Sequence, residues 1–160
     1  MLRLDITVKD KKVSIDNIVM PESMLSLLDG GVYKFLIDNQ CLYVGETSSF
    51  MIRFADHMTG IQKDSAYFGL ERLDGEYSLR YEILERGLPY KKSEEKAGRR
   101  YVDENSLVRK KKEIEYINTL FPVLQNPNKT TNRRSDHMVT DKTGTVRNDL
   151  VYNLLNSERG

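Results

Sequence analysis

Gly31-Val-Tyr-Lys-Phe-Leu-Ile-Asp-Asn-Gln-Cys-Leu-Tyr-Val-Gly45 is two apolar runs around a polar break. Val32–Ile37 and Cys41–Val44 have the β-branched and aromatic composition of strands, and Asp38-Asn39-Gln40 that of a turn, so the stretch predicts a β-hairpin. Side chains alternate along each strand, and opposed residues share a face. With a three-residue loop at 38–40, the odd-numbered residues of both strands lie on one face, and Tyr33 and Tyr43 emerge together. A two-residue loop would send them to opposite faces.

Downstream, Thr47-Ser48-Ser49 offers N-caps for a helix over Phe50–Met58 that Thr59-Gly60 ends. Arg53 and His57, four residues apart, are adjacent on that helix, beside the stripe of Phe50, Met51, Phe54, Ala55 and Met58. They are expected at the edge of the core, where helix meets sheet. Ser65–Leu73 is compatible with a short helix, and Tyr77–Leu84 reads as a third strand. Lys91–Asn105 reads as a solvated helix or a mobile loop. From Ser106 to Leu120 the positions Leu107, Ile114, Ile117 and Phe121 form one apolar helical stripe that stops before Pro122. Upstream, Leu2–Val8 and Val13–Val19 alternate around Asp10-Lys-Lys, a second hairpin, and Met24–Leu28 gives one or two helical turns.

The expected architecture is α+β: a small three-stranded antiparallel sheet flanked by helices, with an N-terminal β-hairpin and a C-terminal helical extension. Residues 1–29 form the extension, 30–126 the central domain, and 127–160 a basic loop and last helix. The chain has 160 residues, enough for one domain. No stretch reaches the ~20 apolar residues of a membrane span, and Met1-Leu-Arg-Leu-Asp lacks a signal-peptide core, which reads as a cytoplasmic protein with no membrane partner. The single Cys41 excludes an intramolecular disulfide and has no Cys–His cluster for structural zinc.

Lys+Arg 25 against Asp+Glu 24 gives a net charge of +1, which argues against a polycationic nucleic-acid binder. The average conceals a gradient. Residues 91–112 carry nine basic and four acidic side chains, a net +5, so the rest of the chain sums to −4.

The order Gly31-Val32-Tyr33, Tyr43-Val44-Gly45, Arg53-x-x-x-His57, Glu113, Pro122 and Asn126 resembles the GIY-YIG nuclease superfamily over roughly residues 30–126. Each signature tripeptide carries one Ile-to-Val change, and three residues rather than fewer separate Pro122 from Asn126. The resemblance implies a divalent-metal-dependent DNA endonuclease, restriction-like or of phage or homing type. It implies Tyr33, Tyr43, Arg53, His57, Glu113 and Asn126 as catalytic residues, with Gly31 and Gly45 as motif glycines. Glu113 would hold Mg²⁺ or Mn²⁺, with Glu115 as the neighbouring candidate. Tyr33 would be the base, which at an ordinary phenol pKa of about 10 needs nearby cationic charge or a partner to take its proton. Arg53 would bind the phosphate.

Lys34, Lys91, Lys92, Arg99, Arg100, Lys110, Arg133 and Arg134 are candidate DNA contacts. One site per chain means that cutting both strands takes a homodimer, a higher oligomer or two nicks. The competing readings are a repair-type nicking nuclease and a non-catalytic nucleic-acid-binding module on the same fold. Taken one at a time, each tyrosine suits a half-buried strand residue, Arg53 a surface ion pair and His57 a core histidine.

Overall fold

A computed structural model describes residues 2–64 and 67–125. Leucines and isoleucines at every second position make β1 (Leu2–Lys9) a strand with one wet and one buried face: Leu2, Leu4, Ile6 and Val8 are buried. It turns through Asp10 and Lys11, both at positive φ, into β2 (Lys12–Val19). A short 3-10 turn over Met24–Leu28 follows. Then come β3 (Gly31–Ile37), β4 (Gln40–Thr47), α1 (Phe50–Lys63), β5 (Gly75–Glu85), β6 (Lys92–Ala97), β7 (Arg100–Asp103) and α2 (Ser106–Leu120).

The sheet has five antiparallel strands in the order β2-β1-β5-β3-β4, not three. β3 pairs with β4 on one side and β5 on the other, which leaves the far edge of β5 open. β1 fills it, with Leu2 opposite Tyr81 and Leu4 opposite Leu79. The alternation of β1 thus continues the apolar face of the hairpin rather than forming a separate appendage.

β3 is buried on both faces, because helices cover both. Tyr33, Phe35 and Ile37 join Phe50, Phe54 and Ile61 of α1 in the main core, whereas Val32 and Val44 meet Ile117 of α2 on the opposite face. Ser49 caps α1, its Oγ accepting from the Ile52 N–H at 3.3 Å.

Four local expectations are corrected. α1 runs on through Gly60 to Lys63. Ser65–Leu73 holds only a 3-10 turn at Leu70–Arg72 within its described part. Lys91–Asn105 is neither helix nor loop throughout but contains the β6–β7 hairpin, a two-stranded ribbon with mostly exposed side chains. The buried face of α2 is Arg109, Glu113 and Ile117, whereas Leu107 is 80% and Phe121 65% exposed. Asn126, Arg133, Arg134 and the C-terminal helix of the sequence reading lie outside the described residues.

Candidate active site

The β3–β4 hairpin puts Tyr33 and Tyr43 on one face by a different route from the expected one. The turn has two residues, Asp38 and Asn39, with Asp38 at φ 49°. A bulge then intervenes, so Ile37 pairs with Gln40 and Leu36 with Cys41, but Phe35 with Tyr43 and Tyr33 with Gly45. The extra residue restores the register that a three-residue loop would give. The two tyrosine rings are 6.4 Å apart.

Gly45 lies directly under Tyr33. A Cβ there would sit 2.4 Å from the Tyr33 hydroxyl oxygen and 2.5 Å from Cζ, so only glycine lets the phenol lie across β4. At Gly31 a Cβ would meet the Glu85 carbonyl oxygen at 1.9 Å, where β3 and β5 shift register. Both motif glycines are therefore points of close approach.

α1 supplies the next two groups. The Tyr33 hydroxyl accepts from Arg53 Nε at 3.3 Å and lies 2.6 Å from His57 Nε2. Arg53 is half-buried at the core edge, as expected for its position. His57 is 1% exposed and belongs to the core, packed edge-on to Phe35 and stacked with Phe68 at 5.5 Å. The expected stripe through Met51 and Ala55 is rotated: the buried face is Phe50, Phe54, His57 and Ile61. His57 takes an apolar position because both ring nitrogens have partners, the second being the Tyr67 hydroxyl, 2.6 Å from Nδ1.

Tyr67 carries no local signal in the sequence. Residues 60–76 carry no clear periodicity, and only the aromatic pair Tyr67-Phe68 marks the place.

Burial pushes the Tyr33 phenol well above its ordinary pKa; Arg53 pulls it down and the Glu113 charge pushes it further up, and burial prevails. Burial disfavours the Arg53 charge, but the adjacent Tyr33 oxygen more than compensates, and Arg53 is held cationic. Tyr67 is raised to about 12, mainly by burial.

Glu113 is 5% exposed on α2, close enough for its charge to act on Tyr33, whereas Glu115, two residues on, faces out. One turn before Glu113, Arg109 ties the region together. Its Nε donates to Glu46 at 2.8 Å, one nitrogen to the Leu88 carbonyl at 2.9 Å and the other to Asp103 at 2.6 Å. Glu46 follows Gly45, so this hub joins α2, the end of β4 beside Tyr33 and the base of the β6–β7 ribbon.

Beyond α2, Gln125 is a second residue missed in the sequence. Its Oε1 accepts from the Val44 N–H and its Nε2 donates to the Val44 carbonyl, both at 2.7 Å. The backbone N–H groups of Val123 and Leu124 donate to Cys41 and Leu42. Four hydrogen bonds thus bind the segment after α2 to the outer edge of β4.

The candidate DNA contacts divide. Lys34 pairs with Glu82 at 3.5 Å and lines a cavity of about 310 Å³ with Leu2, Leu27 and Tyr81. Lys91 pairs with Glu104 at 3.2 Å. Lys92 lies 3.9 Å and Lys96 4.9 Å from the centroid of the Tyr101 ring, which both flank. Arg99 and Arg100 form the exposed tip of the ribbon, and Lys110 is exposed on α2.

No protein-family model, curated protein or solved structure matches the chain. Among the described residues no helix is long and apolar enough to cross a membrane.

Proposed function

We propose that this chain is a divalent-metal-dependent phosphodiesterase acting on DNA, an endonuclease of the GIY-YIG type and of restriction-like or phage or homing character. One observation carries the reading: the Tyr33 hydroxyl, from the first motif, is held between Arg53 and His57 from the following helix. A phenol, a fixed cation and an imidazole around one oxygen are a proton acceptor, a phosphate clamp and a proton sink.

The raised pKa of Tyr33 argues against a standing phenolate at neutral pH. Tyr33 acts instead as a relay. As it takes a proton from the attacking water, its own proton passes to His57 Nε2; the hydroxide oxygen forms the new bond to phosphorus, and the 3′ oxygen leaves with the electron pair of the broken P–O bond and takes a proton from solvent. Arg53, donating to Tyr33 from the half-buried edge, presents its remaining N–H groups to the non-bridging phosphate oxygens. Tyr43 packs 5.7 Å from the His57 ring and helps to fix its plane.

Glu113 fits a metal held loosely. Its carboxylate is buried and its charge acts on Tyr33, and it would hold Mg²⁺ or Mn²⁺, ions that keep most of their water. Such an ion, when bound, stabilises charge on the phosphate and the leaving oxygen. DNA would be met by the exposed cations of the β6–β7 ribbon, Lys92, Lys96, Arg99 and Arg100, whose base the Arg109 hub fixes to the site. With one site per chain, cutting both strands takes two copies or two successive nicks.

The burial of Tyr33, Tyr43 and His57 favours a second reading, a nucleic-acid-binding module in which the network only stabilises the core. Incubation with supercoiled plasmid and Mg²⁺ separates the two. Conversion to nicked or linear DNA by the wild type, lost in Arg53→Ala and Glu113→Ala, supports the nuclease. DNA retention on a gel without any nicking by the wild type would leave the binding module.

A further inference from the structure

Glycine in the interior of a helix is less favourable than alanine, so Gly60 within α1 calls for a reason. It does not end the helix, which continues to Lys63. Its effect is on Tyr67: a Cβ at residue 60 would lie 2.4 Å from Cε2 and 2.8 Å from Cζ of that ring. The missing methyl is the space in which Tyr67 lies flat on α1. From there its hydroxyl reaches His57 Nδ1, three residues back along the helix, at 2.6 Å. Phe68 holds the arrangement from the other side, 4.6 Å from the Tyr67 ring and stacked on His57.

The three side chains form one line: Tyr33 hydroxyl, His57 Nε2, His57 Nδ1, Tyr67 hydroxyl. Its inner end is fully buried and its outer end is only half-buried. Arg53 can only donate, so the Tyr33 oxygen accepts from it and keeps its own proton to give. For that proton to go to His57, Nε2 must present a lone pair, which in a neutral imidazole requires the proton on Nδ1. A hydroxyl facing Nδ1 can accept that N–H.

We propose that Tyr67 is a positioning residue for the phosphodiesterase reaction: seated by Gly60, it accepts from His57 Nδ1 and so turns the Nε2 lone pair towards Tyr33. This rests on the nuclease reading for its consequence, though not for its geometry. When the water proton moves to the Tyr33 oxygen and the Tyr33 proton to Nε2, His57 becomes imidazolium with both N–H groups engaged, one by Tyr33 and one by Tyr67. Without the Tyr67 oxygen, the neutral ring can carry its proton on Nε2, and the relay loses its acceptor.

The test uses the full chain with ¹⁵N-labelled histidine, comparing wild type, Tyr67→Phe, Gly60→Ala and the distant control Tyr77→Phe. Long-range ¹H–¹⁵N spectra read which His57 nitrogen is protonated, with no DNA present. Nδ1 protonation in the wild type, reduced in both Tyr67→Phe and Gly60→Ala but not in the control, is the expected result. In plasmid nicking, Tyr67→Phe should lower kcat by about 10- to 100-fold, the scale of a misdirected acid–base group, with KM within about twofold. An unchanged His57 spectrum in folded Tyr67→Phe overturns the proposal, as does an unchanged kcat in a variant whose spectrum has changed. Absence of nicking by the wild type would instead overturn the nuclease reading, leaving the spectra to judge the positioning.

Discussion

The two helices cover opposite faces of the same strand pair by opposite means. α1 buries Phe50, Phe54 and Ile61 and admits one polar group, His57, which two hydroxyls satisfy. α2 buries Arg109 and Glu113 and contributes Ile117 alone as a buried apolar residue. Apolar burial stabilises α1 in proportion to area and asks little of geometry. The charges of α2 must each find a partner, because an uncompensated buried charge costs more than its pairing yields. A face built from charges is a poor source of stability but a precise anchor. The difference suggests that α1 supports the core while α2 aligns three separate pieces: β4, the ribbon and the carboxylate Glu113.

The sharpest way to break this contrast lies on α2. Glu113→Gln should cut Mg²⁺-dependent nicking by at least about 100-fold, the scale of losing one charge-stabilising group, while the protein still melts cooperatively. Nicking at the wild-type rate by purified Glu113→Gln would remove Glu113 from the site.

Arg109→Ala should come next, costing about 3–5 kcal/mol in urea unfolding because Glu46 and Asp103 both lose the cation that pairs with them. The same variant should change the acid response. Burial raises the Asp103 carboxyl, but hydrogen bonds from Arg109 and the backbone N–H groups of Lys91 and Asn105 outweigh it and hold it below the usual range. A carboxyl lowered on folding adds stability above its unfolded pKa, near 3.9, and that stability is lost as pH falls through the lower folded value. The stability of the wild type should therefore decline below about pH 4, and this part of the decline should shrink in Arg109→Ala.

Gln125→Ala should cost about 1–3 kcal/mol in urea unfolding, since it removes both side-chain hydrogen bonds to the buried Val44 backbone. The smallest effect belongs to the apolar face: Ile61→Val on α1, about 0.5–1.5 kcal/mol with nicking unchanged. Should Ile61→Val reduce nicking as strongly as Glu113→Gln, the division between a supporting and an aligning helix would fail.

What could be read from the sequence follows the same divide. The hairpins over 2–19 and 31–47 and the helix at Phe50 were legible because apolar periodicity reports burial directly. Even the face shared by Tyr33 and Tyr43 came out as expected, although the bulge after Phe35, not a longer loop, produces it. A two-residue turn plus one bulged residue adds up to the same parity. The face of α2 is hidden from the sequence because the exposed Leu107 and Phe121 imitate a core stripe while the buried contacts include Arg109 and Glu113. The β6–β7 ribbon was illegible for a related reason: Lys- and Glu-rich strands have low strand propensity, and cross-strand contacts such as Lys96 with Tyr101 appear only once the chain folds back. Within the site, Tyr33, Arg53 and His57 were accessible through their spacing. Tyr67 and Gln125 were not, since each acts through one long-range partner that no local pattern encodes.

The bonds from Gln125 to Val44 span 81 residues, and the pairs of β1 with β5 span 67 (Val8 with Gly75) to 79 (Leu2 with Tyr81). Neither pairing is local, and each requires a large loop to close before it repays the lost freedom of the chain. β4 can zip to β3 early, but its outer edge stays open until α2 is in place and the segment behind it swings across. An exposed strand edge is where one polypeptide pairs with another. The Gln125 clasp is thus a matter of timing as well as of architecture: until it closes, a newly made chain offers β4 to its neighbours, and slow closure would be paid for in misassembly.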